Sequence, residues 1–279
     1  MHVPGAPLSV QDIQQISLKL LSDVHDFCIA HRLTYSLAYG TLIGAIRHKG
    51  FIPWDDDVDI IMPRSDYERF CKEWDVPGRA IVSSEHDYSY ISFCKIIDTI
   101  ETTCINPAPL GKNIEGGVNI DIFPIDGVSD NYDEFISLVK RLYPIWRKQI
   151  QYRYSLASFS ILQKIFPLKD LAILMAIKLR GHGPQIIHSL NDSLIKEAKA
   201  IGFGQTKHWS QLVNLDDWTK CYQDIDDFQY LVDVEFEKKY FKALNGYDRF
   251  LKRLYGDYME LPPIEERQPK HSRVPFYWK

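Results

Sequence analysis

The chain has no CxxC pair, no apolar run long enough to span a bilayer, no internal repeat and no low-complexity tract. Each absence removes a class of protein. Five cysteines (Cys28, Cys71, Cys94, Cys104 and Cys221) are odd in number and scattered, which argues against a disulfide framework and against a zinc knuckle. The longest apolar stretch, LAILMAIKLRG at 171–181, is too short for a membrane span and is broken by Lys178 and Arg180. The segment Met1 to Val10 lacks the basic start and apolar core of a secretion signal, so a cytoplasmic enzyme is the expectation. An excess of one charge is also missing. With 33 Lys and Arg against 37 Asp and Glu, the formal net charge is -4, and no nucleic-acid footprint exists.

What is present is an ordinary globular composition, 45% hydrophobic and 25% charged over 279 residues. That length suits one large domain or a core with an appendage. Ser9 opens an S-x-x-D start signal, followed by Ile13, Ile16, Leu20, Val24 and Phe27 at helical spacing, which predicts a helix from about Val10 to His31. YSLAY (35–39) reads as a strand ending at Gly40, and LIGAIRH (42–48) as a short helix. VDIIM (58–62) is a strand stopped by Pro63, and Ser65 with Glu68 spells a capping box for the next helix. AIVSS (80–84), YISFCKII (90–97), TTCI (102–105) and VNIDIFPI (118–125) read as strands. The last two flank a Gly-rich loop, PLGKNIEGG (109–117), expected to be exposed.

Beyond about residue 130 the patterning turns helical to about 200; a short β-like region follows, then a late helix over 247–261 with a Gly interruption. The expectation is an α/β (α+β) fold: a catalytic core over 1–130 and a mostly helical accessory region over 131–279, its last helix packing back on the core. Residues 154–180, apolar blocks broken by lysines, suit either two packed helices, the plainer reading, or a peripheral membrane contact.

The chemistry concentrates in GFIPWDDDVDIIMPR (50–64), where Asp55, Asp56, Asp57 and Asp59 precede an apolar run. Carboxylates this close raise one another's pKa unless a cation offsets them. Side chains alternate along a strand, so Asp57 and Asp59 share one face while Val58 and Ile60 take the other. Asp55 shares the pair's phase if the chain is already extended; Asp56 does not. Asp121, between Ile120 and Ile122, repeats the arrangement and on a neighbouring strand completes a triad. Such a cluster suits Mg²⁺ or Mn²⁺ acting on a phosphoryl centre. A calcium loop is excluded, because Ile60 and Asp66 stand where Gly and Glu are required. A solvated turn remains the bland alternative. Gly40 and Thr41, at a strand-to-helix turn, give backbone room and a hydroxyl donor for a phosphate.

YGTLIGAIRHKGFIPWDDDVDIIMPR (39–64), GGVNIDIFPIDG (116–127) and FLKRLYGDYMELPP (250–263) together resemble the LicD family of cholinephosphotransferases, related to fukutin and within the nucleotidyltransferase superfamily. The superfamily pattern is Gly40-Thr41, the strand Asp57-Val58-Asp59-Ile60 and the later lone Asp121. The resemblance is dense over the first 130 residues, clear over the last 35 and thin between about 131 and 245. It implies a nucleotidyltransferase-like mixed sheet flanked by helices. It also implies transfer of phosphocholine, or a related phospho-alcohol, from a CDP-activated donor such as CDP-choline to a hydroxyl of a cell-surface glycan, teichoic acid or lipopolysaccharide, with release of CMP. In such a site Asp57 and Asp59 would ligate Mg²⁺, with Asp55 a further ligand, and Asp121 would share the metal or accept the acceptor's proton.

Around the triad, Arg47, His48, Lys49 and Lys95 carry the nearest positive charge. Lys95 on its strand either faces a diphosphate or pairs with Asp98, and Arg47 or Lys49 either clamps a phosphate or ends a solvated helix. A quaternary ammonium is held by aromatic faces; Trp54, beside the acidic cluster, leads Tyr39, Tyr255, Tyr258 and Trp218, all of which are otherwise core. Asp257 and Tyr258 on the late helix either close over the nucleotide or dock that helix, the second being the plainer reading. His271 and Arg273 lie in a polar tail with no legible role. Two rival chemistries use similar residues. A DxD-type glycosyltransferase holding a nucleotide-sugar explains Asp57 and Asp59 but neither the Gly-Thr turn nor Asp121, and a nucleotidyltransferase adding NMP to a small molecule differs only in the phosphorus attacked.

Overall fold

A computed structural model describes residues 5–85, 89–104, 109–112, 114–157, 162, 167–215, 220–269 and 275–279; Trp218, His271 and Arg273 lie outside them. The first helix, α1, spans Val10–His31 as its periodicity requires. Ser9 and Asp12 cap it reciprocally, and Arg32 ends it in the left-handed conformation (φ 55°). Its apolar stripe, including Ile13, Ile16, Leu20 and Val24, is buried against the sheet.

The central sheet is mixed. Its order is β1 (Ser36–Leu37), β2 (Asp59–Pro63), β6 (Asn119–Val128), β4 (Cys94–Asp98) and β3 (Arg79–Val82). Only β2 and β6 run parallel; the other neighbours are antiparallel. The ten-residue β6 is shared, its first half pairing β2 and β4 and its second half pairing β7 (His208–Ser210), which β8 (Gln223–Asp224) extends. Two small antiparallel pairs stand apart: β9 (Leu231–Phe236) with β10 (Lys239–Leu244), and β5 (Thr102–Cys104) with β11 (Phe276–Trp278).

The helices are α2 (Tyr39–Ile43), α3 (Arg64–Glu73), α4 (Tyr132–Ser155), α5 (Leu168–Arg180), α6 (Gly183–Ala198) and α7 (Tyr247–Tyr255). One apolar cluster joins α1, the sheet, the β9–β10 hairpin and α7, through residues such as Leu20, Ile60, Ile122, Phe236, Phe241 and Phe250. A second, built from Phe135, Val139, Leu142 and Leu194 among others, joins α4 to α6. The residues after 207 thus return to the principal core with strands of their own. Among the described residues, no helix is long and apolar enough to cross a membrane.

Several local expectations change. The strand predicted over 35–39 is only two residues long, because Tyr39 already begins α2 with a positive φ of 47°. The helix expected over 42–48 is α2 followed by a π-helical turn, Gly44–His48. No Ser65–Glu68 capping box forms: α3 starts two residues earlier, with Pro63 as its N-cap, so Ser65 falls inside the first turn, and Glu68 pairs with Lys199 instead. In the 109–117 loop, Gly116 and Gly117 are buried. The late helix stops at Tyr255, where Gly256 takes a positive φ of 70° that glycine adopts readily, so Asp257 and Tyr258 lie beyond it.

Candidate active site

Parallel pairing sets Asp59 of β2 opposite Asp121 of β6, and antiparallel pairing sets Lys95 of β4 opposite Asp121 on its other side. Three polar residues therefore stand in a row across three adjacent strands. Along the segment entering β2, Asp55, Asp57 and Asp59 are partly exposed, while Asp56, Val58 and Ile60 are buried. This is the alternation of an extended chain. Apolar Ile60 and Ile122 lock the reverse side of both strands into the core.

The electrostatics follow from crowding. Burial pushes the Asp57 carboxyl up to about 6, repulsion from Asp121 and Asp56 adds to this, and a hydrogen bond with Asp55 and the charge of Lys95 oppose it. Asp59 is pushed well above the usual carboxylate range, again by burial first and then by Asp57, Asp121 and Asp55. The Lys95 ammonium meets Asp121 directly, donates to Asn119 Oδ1 at 2.9 Å and lies 5.5 Å from the centre of the Phe93 ring. Its partners are thus Asp121 and Asn119; Asp98 is bound by Arg79. Asn119 escaped the sequence reading although it sits two residues before Asp121 on the same face, a placement the period of two could have revealed.

Gly40 and Thr41 reach this row from α2. A Cβ on Gly40 would lie 2.7 Å from Asp55 Oδ2, closer than real Cβ contacts, so glycine is required for that carboxylate to approach the helix. Thr41 is buried, and its hydroxyl oxygen accepts the Asp59 N–H at 2.9 Å. Gly40 thus leaves room for Asp55, and Thr41 braces the backbone of Asp59. From the C-terminal side, Tyr255 feels the carboxylates of Asp59, Asp57 and Asp55; burial first, then these charges, hold its phenol above its usual range. Tyr39 is raised by burial, then by Cys221, Tyr255 and Asp59.

Other candidates are placed differently. Arg47 is no free phosphate clamp. It donates to the carbonyls of Tyr258 (2.6 Å) and Glu260 (3.1 Å) and to His48 Nε2 (2.9 Å). His48 is held below its usual pKa by burial and by Arg47, so it adds no cation at neutral pH. Lys49 is exposed at the end of the π-helical turn. Trp54 meets His48 edge-on, and its ring carries the guanidinium of Arg267 at 5.5 Å. Nothing local in sequence foretells that partner.

Among the described residues, no three His, Cys, Asp or Glu side chains stand in a ligating group. Asp121 is turned to Lys95, and Asp57 is engaged with Asp55. The donor chemistry nevertheless fits a hard divalent cation: Asp55, Asp57 and Asp59 share one partly exposed face and repel one another, and a metal would favour their charged forms.

The mixed sheet thus aligns two carboxylates and a lysine on three neighbouring strands, and comparison with known proteins gives the class: enzymes that transfer phosphate-containing groups. Residues 32–136 match the family model described as LicD/FKTN/FKRP, nucleotidyltransferase domain. The chain is 32% identical to a lipopolysaccharide cholinephosphotransferase, LicD, of Haemophilus influenzae, over 95% of this chain and 96% of that protein. It belongs to the LicD family. An uncharacterized protein of Rickettsia prowazekii is 23% identical over 75% of this chain and 77% of its own. One of Rickettsia typhi is 40% identical over 52 residues, 19% of this chain and 17% of its own.

Proposed function

We propose that the protein transfers phosphocholine, or a related phospho-alcohol, from a CDP-activated donor to a hydroxyl of a cell-surface glycan of lipopolysaccharide or teichoic acid type, releasing CMP. The near full-length relation to a lipopolysaccharide cholinephosphotransferase supports the reaction class. The row Asp59, Asp121, Lys95 is the structural observation that carries it.

In the proposed reaction the acceptor oxygen bonds to the phosphorus bearing the alcohol, the bond from that phosphorus to the CMP oxygen breaks, and CMP leaves with the electron pair. Asp121, oriented by Lys95, takes the acceptor's proton or shares the metal. Asp57 and Asp59, with Asp55 as a further ligand, would hold Mg²⁺ or Mn²⁺. When bound, that ion supplies charge neutralisation at the phosphoryl oxygens. Thr41 fixes the start of β2, Gly40 leaves space for Asp55, and Trp54 offers an aromatic face to the quaternary ammonium. A lipid-linked acceptor places the enzyme at the cytoplasmic face of the membrane as a peripheral protein.

Incubation with CDP-choline, CDP-ribitol, CDP-glycerol and UDP-sugars, with Mg²⁺ or with EDTA, tests this. The expected product is CMP, formed from a CDP-alcohol, dependent on metal and increased by the glycan acceptor. Release of UDP from a UDP-sugar without CMP formation would transfer the site to glycosyl chemistry.

A further inference from the structure

Charge is nearly balanced over the whole chain but strongly segregated along it. Residues 140–191 hold nine Lys or Arg and a single carboxylate, Asp170, a net charge of +8 within a chain of net -4. This stretch comprises most of α4, all of α5 and the first half of α6. Lys140, Arg147, Lys148 and Arg180 are exposed along it, while Arg141 is engaged by Glu197.

Within this basic region α5 has two apolar faces. Leu171, Leu174 and Ile177 are buried, the first two in a small cluster with Ala157 and Leu162. Ala172, Ile173, Ala176 and Leu179 point outward, Ile173 with 49% and Leu179 with 84% of its surface exposed. Their spacing of i, i+1, i+4 and i+7 makes them one continuous stripe. Water is a poor solvent for such a stripe, and an apolar face rimmed by cations is the composition of an interfacial helix.

We propose that α5 docks the enzyme onto an anionic lipid surface, its outer stripe entering the headgroup boundary while the exposed cations Lys140, Arg147, Lys148 and Arg180 meet the lipid phosphates. A second copy of the chain is the poorer occupant, because a symmetric interface would set one +8 segment against another. The inference deepens the proposed function, since it states how the enzyme meets a lipid-linked acceptor.

Sedimentation of the full-length protein with vesicles tests it, using phosphatidylcholine alone or with about one third phosphatidylglycerol. Each cation near an anionic surface strengthens partitioning roughly fivefold, so binding to the anionic vesicles should exceed binding to neutral ones by more than about tenfold and fall in high salt. The double variant Ile173→Glu/Leu179→Glu should lose at least about tenfold in vesicle binding, and Arg147→Glu/Lys148→Glu a similar factor, with CMP release during transfer to a soluble acceptor unchanged. The second pair keeps the test decisive should the first disturb folding. Equal partitioning to both vesicle types, or wild-type binding by both variants, would overturn the proposal. So would a dimer in light scattering that Leu179→Glu dissolves. The vesicle experiment needs neither donor nor acceptor, so it can fail while the transfer reaction stands, and the reverse.

Discussion

Asp56 and Asp57 are neighbours in sequence, and alternation sends them to opposite faces of the entering strand. Asp57→Asn or Asp59→Asn should lower CMP release by more than about a hundredfold, because each removes a charge from the reacting centre. Neither should lower the melting temperature in EDTA, since neutralising one member relieves repulsion among crowded carboxylates. A drop of several degrees would recast the residue as structural. Asp56→Asn should show the reverse, near-normal turnover per folded molecule with reduced stability. Gly40→Ala places a methyl group against Asp55 Oδ2; an activity loss of about tenfold with an unchanged circular dichroism spectrum is expected. The phase of Asp57, Asp59 and Asp121 was legible because a period of two needs only one strand to declare itself. The partners of Lys95 and Arg47 were not, because side-chain pairing across elements leaves no local trace.

At the scale of elements, a buried ion pair locks α3 to β6. Arg64 grips Asp126 through two hydrogen bonds (2.8 and 2.6 Å), with both side chains almost fully buried. Removing one partner strands the other charge, so Arg64→Ala should cost about 3–5 kcal/mol in urea unfolding. Loss of turnover in proportion to the unfolded fraction is the expected accompaniment; a specific loss in the folded enzyme would assign Arg64 a catalytic part. Elements with strong periodicity, such as α1, were readable to the residue. Starts and stops decided by backbone geometry were not. Pro63 took the role foreseen for Ser65, and Gly256 ended α7 six residues before the sequence pattern did.

At the scale of the molecule, the C-terminal segment crosses back to the mouth of the site, more than two hundred residues from its partners. Arg47 holds the carbonyls of Tyr258 and Glu260, and Arg267 lies on Trp54. Arg47→Ala should therefore hasten proteolytic cleavage within residues 256–269 and raise the KM for the donor while leaving the global melting point nearly unchanged. The sequence showed that this segment matters but not that it closes upon the π-helical turn, since contacts of that length depend on the completed sheet. The stacked guanidinium also bears on substrate preference. A cationic alcohol reaching Trp54 displaces a tethered arginine, so choline competes with a tenant of the protein's own making. Arg267→Ala vacates that seat, and CDP-choline should then gain on CDP-glycerol in kcat/KM. An unchanged ratio would mean that the alcohol never touches the indole.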